Sequence, residues 1–233
     1  MSKDEIIISD GVWSKVELIR ENGILIVRKT INDPKMSQRE ITLLLSLEHP
    51  HIIPVERADI LLRQIYMPYI PIELTMMIER GPLSSECLHK YVLQIISAIK
   101  YLHTNKIAHL DLKTDNILIK DDHCYVIDFG LARRSEPGVK IVFDSGSRPY
   151  ASPEILLGIP FEPTKSDIWS LAVCIFMCAT GGFPITSMSF LEDQYYPSTM
   201  CPKLRDLLEG MFKLNPRFRY SIEDVSKHPW VTG

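Results

Sequence analysis

The eight residues HLDLKTDN, at positions 109–116, place acidic, basic and amide side chains in one short stretch. Asp111, Lys113 and Asn116 stand two and then three residues apart, and Asp128 opens the triplet Asp-Phe-Gly twelve residues after Asn116. Two acids and an amide can share a Mg²⁺ ion, which suits phosphoryl transfer, where positioning and charge neutralisation do most of the work. Each piece alone also fits a polar surface loop, so the surrounding elements must decide.

The composition is that of an ordinary globular chain. Its 233 residues, 45% hydrophobic with a formal charge of −3, suffice for one large domain or two lobes and give no basic field for nucleic acid or membrane. Five cysteines without framework spacing predict free thiols. The start does not resemble a signal peptide, and the most apolar stretch, 168–183, is too short to span a bilayer. We expect an intracellular protein, cytoplasmic or nuclear.

The first third of the chain is predicted to be rich in β-strands. The runs KVELIR and ILIVRKTI are separated by Asn22-Gly23, a strong hairpin signal, and two further strand-like runs at 55–70 would complete a small sheet. Ser37, followed three residues later by Glu40, has the pattern of a capping box. This pattern predicts a helix that begins at Ser37 and ends before His49.

After Pro71 the pattern changes to helix. Apolar residues from Leu88 to Leu102 share one helical face, in a helix that begins after Ser84 and leads to His109. The sequence therefore predicts one α+β domain over 1–233. It consists of a small β-rich lobe at 1–69 and a larger helical lobe at 70–233, with a cleft where the two meet. Further helices in the larger lobe are predicted at 165–180, 202–213 and 221–227.

Together with SPE at 152–154 and DIWS at 167–170, the catalytic-type motifs resemble those of the eukaryotic protein kinase family over nearly the full chain. The resemblance implies the family's two-lobed fold and the use of ATP and Mg²⁺. It makes Asp111 the base that takes the proton of a substrate hydroxyl, and Lys113 a partner of the γ-phosphate. Asn116 and Asp128 become the Mg²⁺ ligands. The Asp-Leu-Lys form is typical of Ser/Thr kinases.

The same resemblance assigns two charged residues in the small lobe. Lys29, in IVRKTI, corresponds to the lysine that anchors ATP, and Glu40 corresponds to its partner on the regulatory helix, while Val27 replaces the usual alanine beside adenine. Lys29 and Glu40 are only eleven positions apart, fewer than in most of the family, so the helix is expected to begin almost at Glu40. Glu40 could instead only complete the capping box with Ser37, and both interpretations stay open.

The stretch SDGVWSKV corresponds to the family's glycine-rich loop. Only Gly11 is kept, since Ser9 and Ser14 take two glycine positions, whereas Trp13 and Val16 fit the pattern. Glycines let backbone N–H groups approach phosphates without a Cβ in the way, so the serines are expected to weaken or reshape ATP binding. The alternative is a plain turn that meets no phosphate.

The resemblance also implies the adenine contacts. Met67 corresponds to the gatekeeper, and Pro68, Tyr69 and Ile70 correspond to the hinge, whose backbone meets adenine. Pro68 has no N–H, so Ile70 would supply the hinge donor. Leu118 belongs to the same nucleotide-binding set.

In the large lobe the resemblance implies contacts that hold the site rather than react. Four are expected: Ser147 with Asp111 and Lys113, Glu154 with Arg219 as a buried ion pair, Asp167 with the backbone of the catalytic loop, and His109 packed under Phe129 as a structural residue.

Leu110 is the main departure from the family pattern. Most regulated kinases carry arginine there and a phosphorylatable threonine at the position of Phe143, and the phosphate neutralises the arginine and orders the activation segment. Both halves of that switch are replaced here. We hypothesise that packing, for example of Leu110 against Phe143, holds the segment, so that activity does not wait for a phosphate. A requirement for Ser145 phosphorylation would contradict this hypothesis.

The sequence thus predicts a kinase for serine and threonine of protein substrates, most similar to the calmodulin-dependent and AMP-activated-kinase-related group, with no nucleic-acid or membrane partner. One alternative is a pseudokinase scaffold, favoured by the degraded loop, Val27 and the short spacing of lysine and glutamate. Another is a kinase that needs an activating protein partner to support the shortened helix. The scaffold has no chemical need for the full set that is retained: Lys29, Glu40, Asp111, Asn116 and Asp128.

Overall fold

An antiparallel sheet forms the N-terminal region of the computed structural model, which describes residues 5–136, 138–142, 146–184 and 196–233. Its strands are β1 (Ile6–Asp10), β2 (Ser14–Glu21), β3 (Ile24–Ile31), β4 (Arg57–Asp59) and β5 (Gln64–Pro68). They follow the spatial order β1-β2-β3-β5-β4. The predicted small sheet is confirmed.

Strands β2 and β3 form the predicted hairpin. Asn22 and Gly23 occupy its turn with φ values of 50° and 83°, in the left-handed region that asparagine and glycine tolerate best. The two strands pair along their full length without a register shift, which sets Lys29 opposite Val16. Since side chains alternate along a strand, this register decides which side chains share a face with Lys29.

Helix α1 (Pro34–Leu44) has its N-cap at Asp33, four residues before the N-cap that the capping-box pattern predicted. Asp33 is the N-cap and accepts a hydrogen bond from a backbone N–H of the first turn at 2.8 Å. Pro34 follows at the first helical position, where its missing N–H costs nothing. The predicted capping box between Ser37 and Glu40 is therefore wrong. The expectation that the helix begins almost at Glu40 is also wrong, because a full turn and a half precedes that residue.

The C-terminal region is mainly helical. Its longest helix begins after Ser84, as predicted, and the Ser84 hydroxyl caps it. The helices are α2 (Leu74–Ile78), α3 (Ser85–Thr104), α4 (Pro153–Leu156), α5 (Pro163–Thr180), α6 (Pro202–Met211), α7 (Ile222–Lys227) and α8 (Pro229–Thr232). Those predicted at 165–180, 202–213 and 221–227 are confirmed, with ends within two residues of the prediction. Within the described ranges, none of the helices has the length and apolar character needed to cross a membrane.

Short strands position the catalytic-type residues. They are β6 (Ile72–Glu73), β7 (Ile107–Ala108), β8 (Ile117–Lys120), β9 (His123–Val126) and β10 (Arg133–Arg134), paired in the orders β6-β8-β9 and β7-β10. The HLDLKTDN loop runs from β7 to β8. Because β8 and β9 are antiparallel and the Ile127 N–H donates to the Asn116 carbonyl at 3.0 Å, Asn116 and Asp128 lie at the same end of one hairpin.

The chain between α1 and β4 is attached to strand β9. Backbone hydrogen bonds join the Ile53 N–H to the Val126 carbonyl at 3.0 Å and the Val126 N–H to the His51 carbonyl at 2.9 Å. This attachment fixes the end of α1 relative to the residues that follow β9. It therefore connects the segment that follows the Glu40 helix to the strand that leads to Asp128.

The expected ion pair between Glu154 and Arg219 is confirmed and fully buried. The Arg219 guanidinium donates to both carboxylate oxygens, at 2.6 and 3.0 Å, and its remaining donors meet backbone carbonyls near α6 and in α5. Such a bidentate pair holds two segments in one geometry. It therefore holds helix α4, which follows the Ser147 segment, against the segment between α6 and α7.

We predict that Glu154→Gln lowers the free energy of unfolding by about 3 kcal/mol, because it leaves the buried Arg219 charge without a counter-charge. Guanidinium denaturation followed by circular dichroism would measure this. Glu209→Gln is the matched control, since Glu209 pairs with Arg205 on an exposed helix face and should cost less than about 1 kcal/mol. Equal effects of the two substitutions would contradict the assignment.

Candidate active site

Asp111 is the centre of a hydrogen-bonded group. Its Oδ1 accepts from the backbone N–H and the hydroxyl of Ser147, at 3.2 and 3.1 Å, and its Oδ2 accepts from Asn116 Nδ2 at 3.1 Å. Lys113 Nζ lies 3.5 Å from Oδ2 and donates to Ser147 Oγ at 3.1 Å. The expected contacts of Ser147 are confirmed. The carboxylate of Asp111 is therefore fixed in orientation by donors on both sides.

The backbone that carries Asp111 is held by the buried carboxylate of Asp167, as expected. Its Oδ2 accepts from the His109 N–H at 2.8 Å and lies 2.9 Å from His103 Nε2, while its Oδ1 accepts from the Leu110 N–H at 2.8 Å. Leu110 has a φ of 65°, a conformation that residues with a Cβ seldom adopt. The Asp167 bonds stabilise this strained backbone just before Asp111.

His109 has the structural role that the sequence predicted. It is fully buried, and its ring centroid lies 4.9 Å from that of Phe129. Nε2 lies 3.0 Å from the Ile127 carbonyl oxygen, and Nδ1 accepts the Asp111 N–H at 3.2 Å. Since a carbonyl needs a donor and an N–H needs an acceptor, these contacts fit the tautomer with the proton on Nε2. Both ring nitrogens are thus occupied in support of the loop.

Lys29 links the sheet to both halves of the site. Its Nζ lies 2.7 Å from Glu40 Oε1 and 2.8 Å from Asp128 Oδ1. Burial alone would lower the pKa of Lys29, but the Asp128 and Glu40 carboxylates together raise it above its usual range. Partial desolvation of Asp128 opposes its charged form, yet the Lys29 ammonium lowers the pKa of the Asp128 carboxyl below its usual value. Burial raises the pKa of Glu40, and the nearby Lys29 ammonium offsets only part of that increase.

Asn116 and Asp128 have a chemistry that fits Mg²⁺. Asn116 uses its Nδ2 on the Asp111 backbone and carboxylate, which leaves its amide oxygen for a cation, and the Asp128 side chain is 43% exposed. Within the described ranges, no three His, Cys, Asp or Glu side chains converge as a metal site. Two protein oxygens suffice for Mg²⁺ when phosphate oxygens and water complete its shell. The ligand roles of both residues stay predictions.

Five of the predicted nucleotide-binding residues form two adjacent rows on the sheet. Ser9 pairs with Val16, and Val16 pairs with Lys29, across β1, β2 and β3. Val27 pairs with Met67 across β3 and β5. The fold thus brings residues from four strands together around Lys29, although contact with a nucleotide stays a prediction.

The other predicted nucleotide-binding residues lie outside those rows. Gly11 is exposed in the turn between β1 and β2, and Tyr69 and Ile70 directly follow β5. Leu118 lies in β8, in a sheet that shares no strand with the first one. Its place two residues after Asn116 brings it near the predicted metal ligands along the chain, but no pairing joins it to Val27 or Met67.

Leu110 is packed in an apolar cluster rather than left open. The cluster also contains Ala108, Ala151, Ile155 and Phe161, with Leu131 and Ile141 against it. Ile141 belongs to the activation segment and exchanges two backbone hydrogen bonds with Phe161, each 2.9 Å. The activation segment therefore packs, through Ile141, against the cluster that contains Leu110. The suggested partner Phe143 and the neighbouring Ser145 lie outside the described residues.

Three contributors to the site were missed from the sequence. His103 reaches Asp167, Arg39 Nη2 donates to the Gly130 carbonyl at 2.6 Å, and Asn32 bonds to the turn between β1 and β2. The only local signal was the position of Arg39 beside Glu40. The other two depend on segments that meet only in the folded chain.

Comparison with known proteins agrees with this geometry. A family model described as "Protein kinase domain" matches residues 4–231, and the chain therefore belongs to the protein kinase domain family. The predicted family and the two-lobed α+β fold class are confirmed.

Several curated relatives are about equally similar. Sperm motility kinase 2B of Mus musculus is 32% identical over 97% of this chain and 50% of its own length. Serine/threonine-protein kinase kin-29 of Caenorhabditis briggsae is 33% identical over 83% of the chain and 26% of its own length. Probable serine/threonine-protein kinase MARK-A of Dictyostelium discoideum is 32% identical over 91% of the chain and 21% of its own length. The chain spans half or less of the length of these relatives.

We predict that Asp167→Asn lowers both the melting temperature and the catalytic rate. Asparagine must turn an NH₂ group toward one of the backbone donors, which leaves a buried N–H unpaired at a cost of about 1–3 kcal/mol. Thermal denaturation and a phosphorylation assay would measure the two effects. Asp206→Asn is the control, because this aspartate is 71% exposed and should tolerate the change. A variant with wild-type melting and rate would contradict the role of Asp167.

Proposed function

We propose that this chain is a Ser/Thr protein kinase domain that transfers the γ-phosphate of ATP-Mg²⁺ to serine or threonine hydroxyls of protein substrates. The observation that carries the proposal is the convergence of Lys29, Glu40 and Asp128 at 2.7 and 2.8 Å, beside the Asp111 group. It combines a fixed cation for phosphates, an acid for a metal and an oriented carboxylate for a proton. The relatives named above, which are kinases, support the same reaction class.

In the proposed reaction Asp111 accepts the proton of the substrate hydroxyl. The hydroxyl oxygen forms a bond to the γ-phosphorus as the bond between that phosphorus and the β,γ-bridging oxygen breaks, so ADP leaves and a phosphoester forms. Donors from Ser147 and Asn116 orient the carboxylate of Asp111. Lys113 would neutralise charge on the transferred group, and its contact with Ser147 Oγ, beside Asp111, supports this role.

The charged residues around the reacting groups would hold the nucleotide. Lys29 would bind non-transferred phosphate oxygens, and its raised pKa keeps it cationic throughout the neutral range. Asn116 and Asp128 would hold Mg²⁺, which supplies charge neutralisation between the phosphates when bound. Glu40 would position Lys29 rather than touch the substrate.

Two alternatives make different use of the same fold. A scaffold without activity would have no need to keep the Lys29 charge between two acids, because a buried ion pair is a weak source of stability. A kinase that depends on an activating partner would need help to place Glu40 beside Lys29. The contact between Lys29 and Glu40 forms within this chain, which favours activity without a partner.

We further propose that the activation segment does not need a phosphate. Ile141 packs against the apolar cluster that contains Leu110 and Phe161, and this supports the proposal, because partial burial of apolar side chains stabilises the segment without a charge. All five cysteines are free thiols, which supports the proposed intracellular location.

We predict that the chain phosphorylates a generic protein substrate with ATP-Mg²⁺ and that Asp111→Asn lowers kcat by at least about 100-fold, as expected for loss of a general base. Asp122→Asn is the control, since this aspartate lies on an exposed turn and pairs with Lys90. Incorporation of radiolabelled phosphate would measure the rates.

The other outcomes of this assay separate the alternatives. Absence of turnover together with an ATP-induced rise in melting temperature would favour a kinase that awaits a partner. Absence of both turnover and nucleotide binding would favour the scaffold. Full activity of Asp111→Asn would refute the assignment of the base.

We predict that Ser145→Ala keeps kcat within about twofold of wild type, because the segment is held by packing rather than by a phosphate. The same phosphate-incorporation assay, on protein treated with phosphatase, would measure it. Ser147→Val should lower the rate, since it removes the hydroxyl that contacts Asp111 and Lys113. Activity that is lost in Ser145→Ala, or only present after Ser145 phosphorylation, would refute the packing hypothesis.

A further inference from the structure

One side chain holds the turn that corresponds to the phosphate-binding loop. Asn32 Nδ2 donates to the Val12 carbonyl at 2.8 Å and lies 3.4 Å from the Gly11 carbonyl oxygen, and the Asn32 backbone N–H donates to the Trp13 carbonyl at 2.9 Å. Three successive carbonyls of the turn thus accept hydrogen bonds from a single residue. The side chains of Val12 and Trp13 are 80% and 64% exposed, so apolar packing does not hold the turn.

The turn does not use the conformational freedom of glycine. Gly11 has no positive φ, and a Cβ built on it would lie 3.6 Å from the Ser14 carbonyl oxygen, an ordinary contact. The Gly11 N–H donates to that same carbonyl at 3.0 Å, which closes the turn. Since glycine is not required for this backbone, the conformation must be specified by contacts. Asn32 supplies them.

The carbonyl contacts have a consequence for the amide groups. Within a trans peptide unit the C=O and the following N–H point in opposite directions. When the Gly11 and Val12 carbonyls point toward Asn32, the N–H groups of Val12 and Trp13 point away from it. Successive N–H groups that share a direction form an anion-binding concavity. The Asn32 contacts therefore set the Val12 and Trp13 N–H groups on one side of the turn, the side away from Asn32.

Asn32 can reach the turn because the connection from β3 to α1 is very short. Asn32 follows the last residue of β3, and the next residue, Asp33, is the N-cap of α1. Arg63 fixes Asn32 in turn, because its Nη1 donates to the Asn32 carbonyl at 2.6 Å and its own carbonyl accepts the Ile31 N–H at 3.0 Å. The turn and the helix that carries Glu40 are thus held by two adjacent residues.

We propose that Asn32 is a positioning residue for nucleotide phosphates, which orients the Val12 and Trp13 amides where Ser9 and Ser14 replace glycines. The inference rests on the proposed ATP-dependent function. Asn32 acts through the backbone of the turn and does not touch the nucleotide. Its effect is therefore specific to ligands that carry phosphates, and adenosine should not report it.

Isothermal titration calorimetry of ATP-Mg²⁺ and of adenosine would test the inference in wild type, Asn32→Asp and Asn32→Ala. Loss of the side-chain donor should raise the Kd for ATP-Mg²⁺ on the order of five- to tenfold and leave that for adenosine within about twofold. Asn32→Asp keeps the size of the side chain, and both variants keep the backbone bond to Trp13, so the fold should persist. Agreement between them separates loss of the donor from the added charge of aspartate.

Asn105→Ala is the matched control. Asn105 is also an exposed asparagine whose amide donates to a backbone carbonyl, that of Tyr101 at 2.8 Å, but it lies at the end of α3. It should bind both ligands like wild type. Wild-type affinity of the Asn32 variants for ATP, or an equal loss for ATP and adenosine, would overturn the inference while the proposed function stands. Failure of the wild-type chain to bind ATP would overturn both.

Discussion

The arrangement of the site depends on one buried charge. The Lys29 ammonium is shared by Glu40 and Asp128, which come from helix α1 and from the segment after β9. A buried ammonium without counter-charges costs several kcal/mol, so β3, α1 and that segment cannot shift independently without a large loss of stability. The backbone bonds of Val126 join the same two regions through the β8–β9 hairpin. The N-terminal sheet and the segment that carries Asp128 are therefore joined by an ion pair at Lys29 and by backbone hydrogen bonds at Val126.

Much of the fold could be predicted because its signals are local. The Asn22-Gly23 turn, the Ser84 cap and the apolar face of α3 each specify one element within a few residues. The start of α1 shows the limit of such signals. Ser37 and Glu40 have the spacing of a capping box, but Asp33 followed by Pro34 is a stronger start, and Glu40 is drawn into the Lys29 pair instead.

The candidate site was predictable in a different way. Asp111, Asn116 and Asp128 were found by the spacing of residue types, which reflects chemistry that the fold must serve. Contacts such as His103 with Asp167, or Asn32 with the turn at Val12, have no such spacing. They join segments whose approach depends on strand register and helix packing. Sequence reasoning therefore identified the candidate catalytic residues but missed several residues that hold them in place.

Leu110 shows how the same backbone can be held without a switch. Its left-handed conformation is strained, and two contributions offset that strain: the bond from its N–H to Asp167 and the burial of its side chain beside Ile141. Burial of one leucine side chain contributes about 1.5–3 kcal/mol, and a phosphate can neither add nor remove that contribution. An arginine at this position would be controlled by the charge opposite it. With leucine, the backbone before Asp111 is instead held by apolar burial and by the bond to the Asp167 carboxylate, both of which the fold supplies on its own.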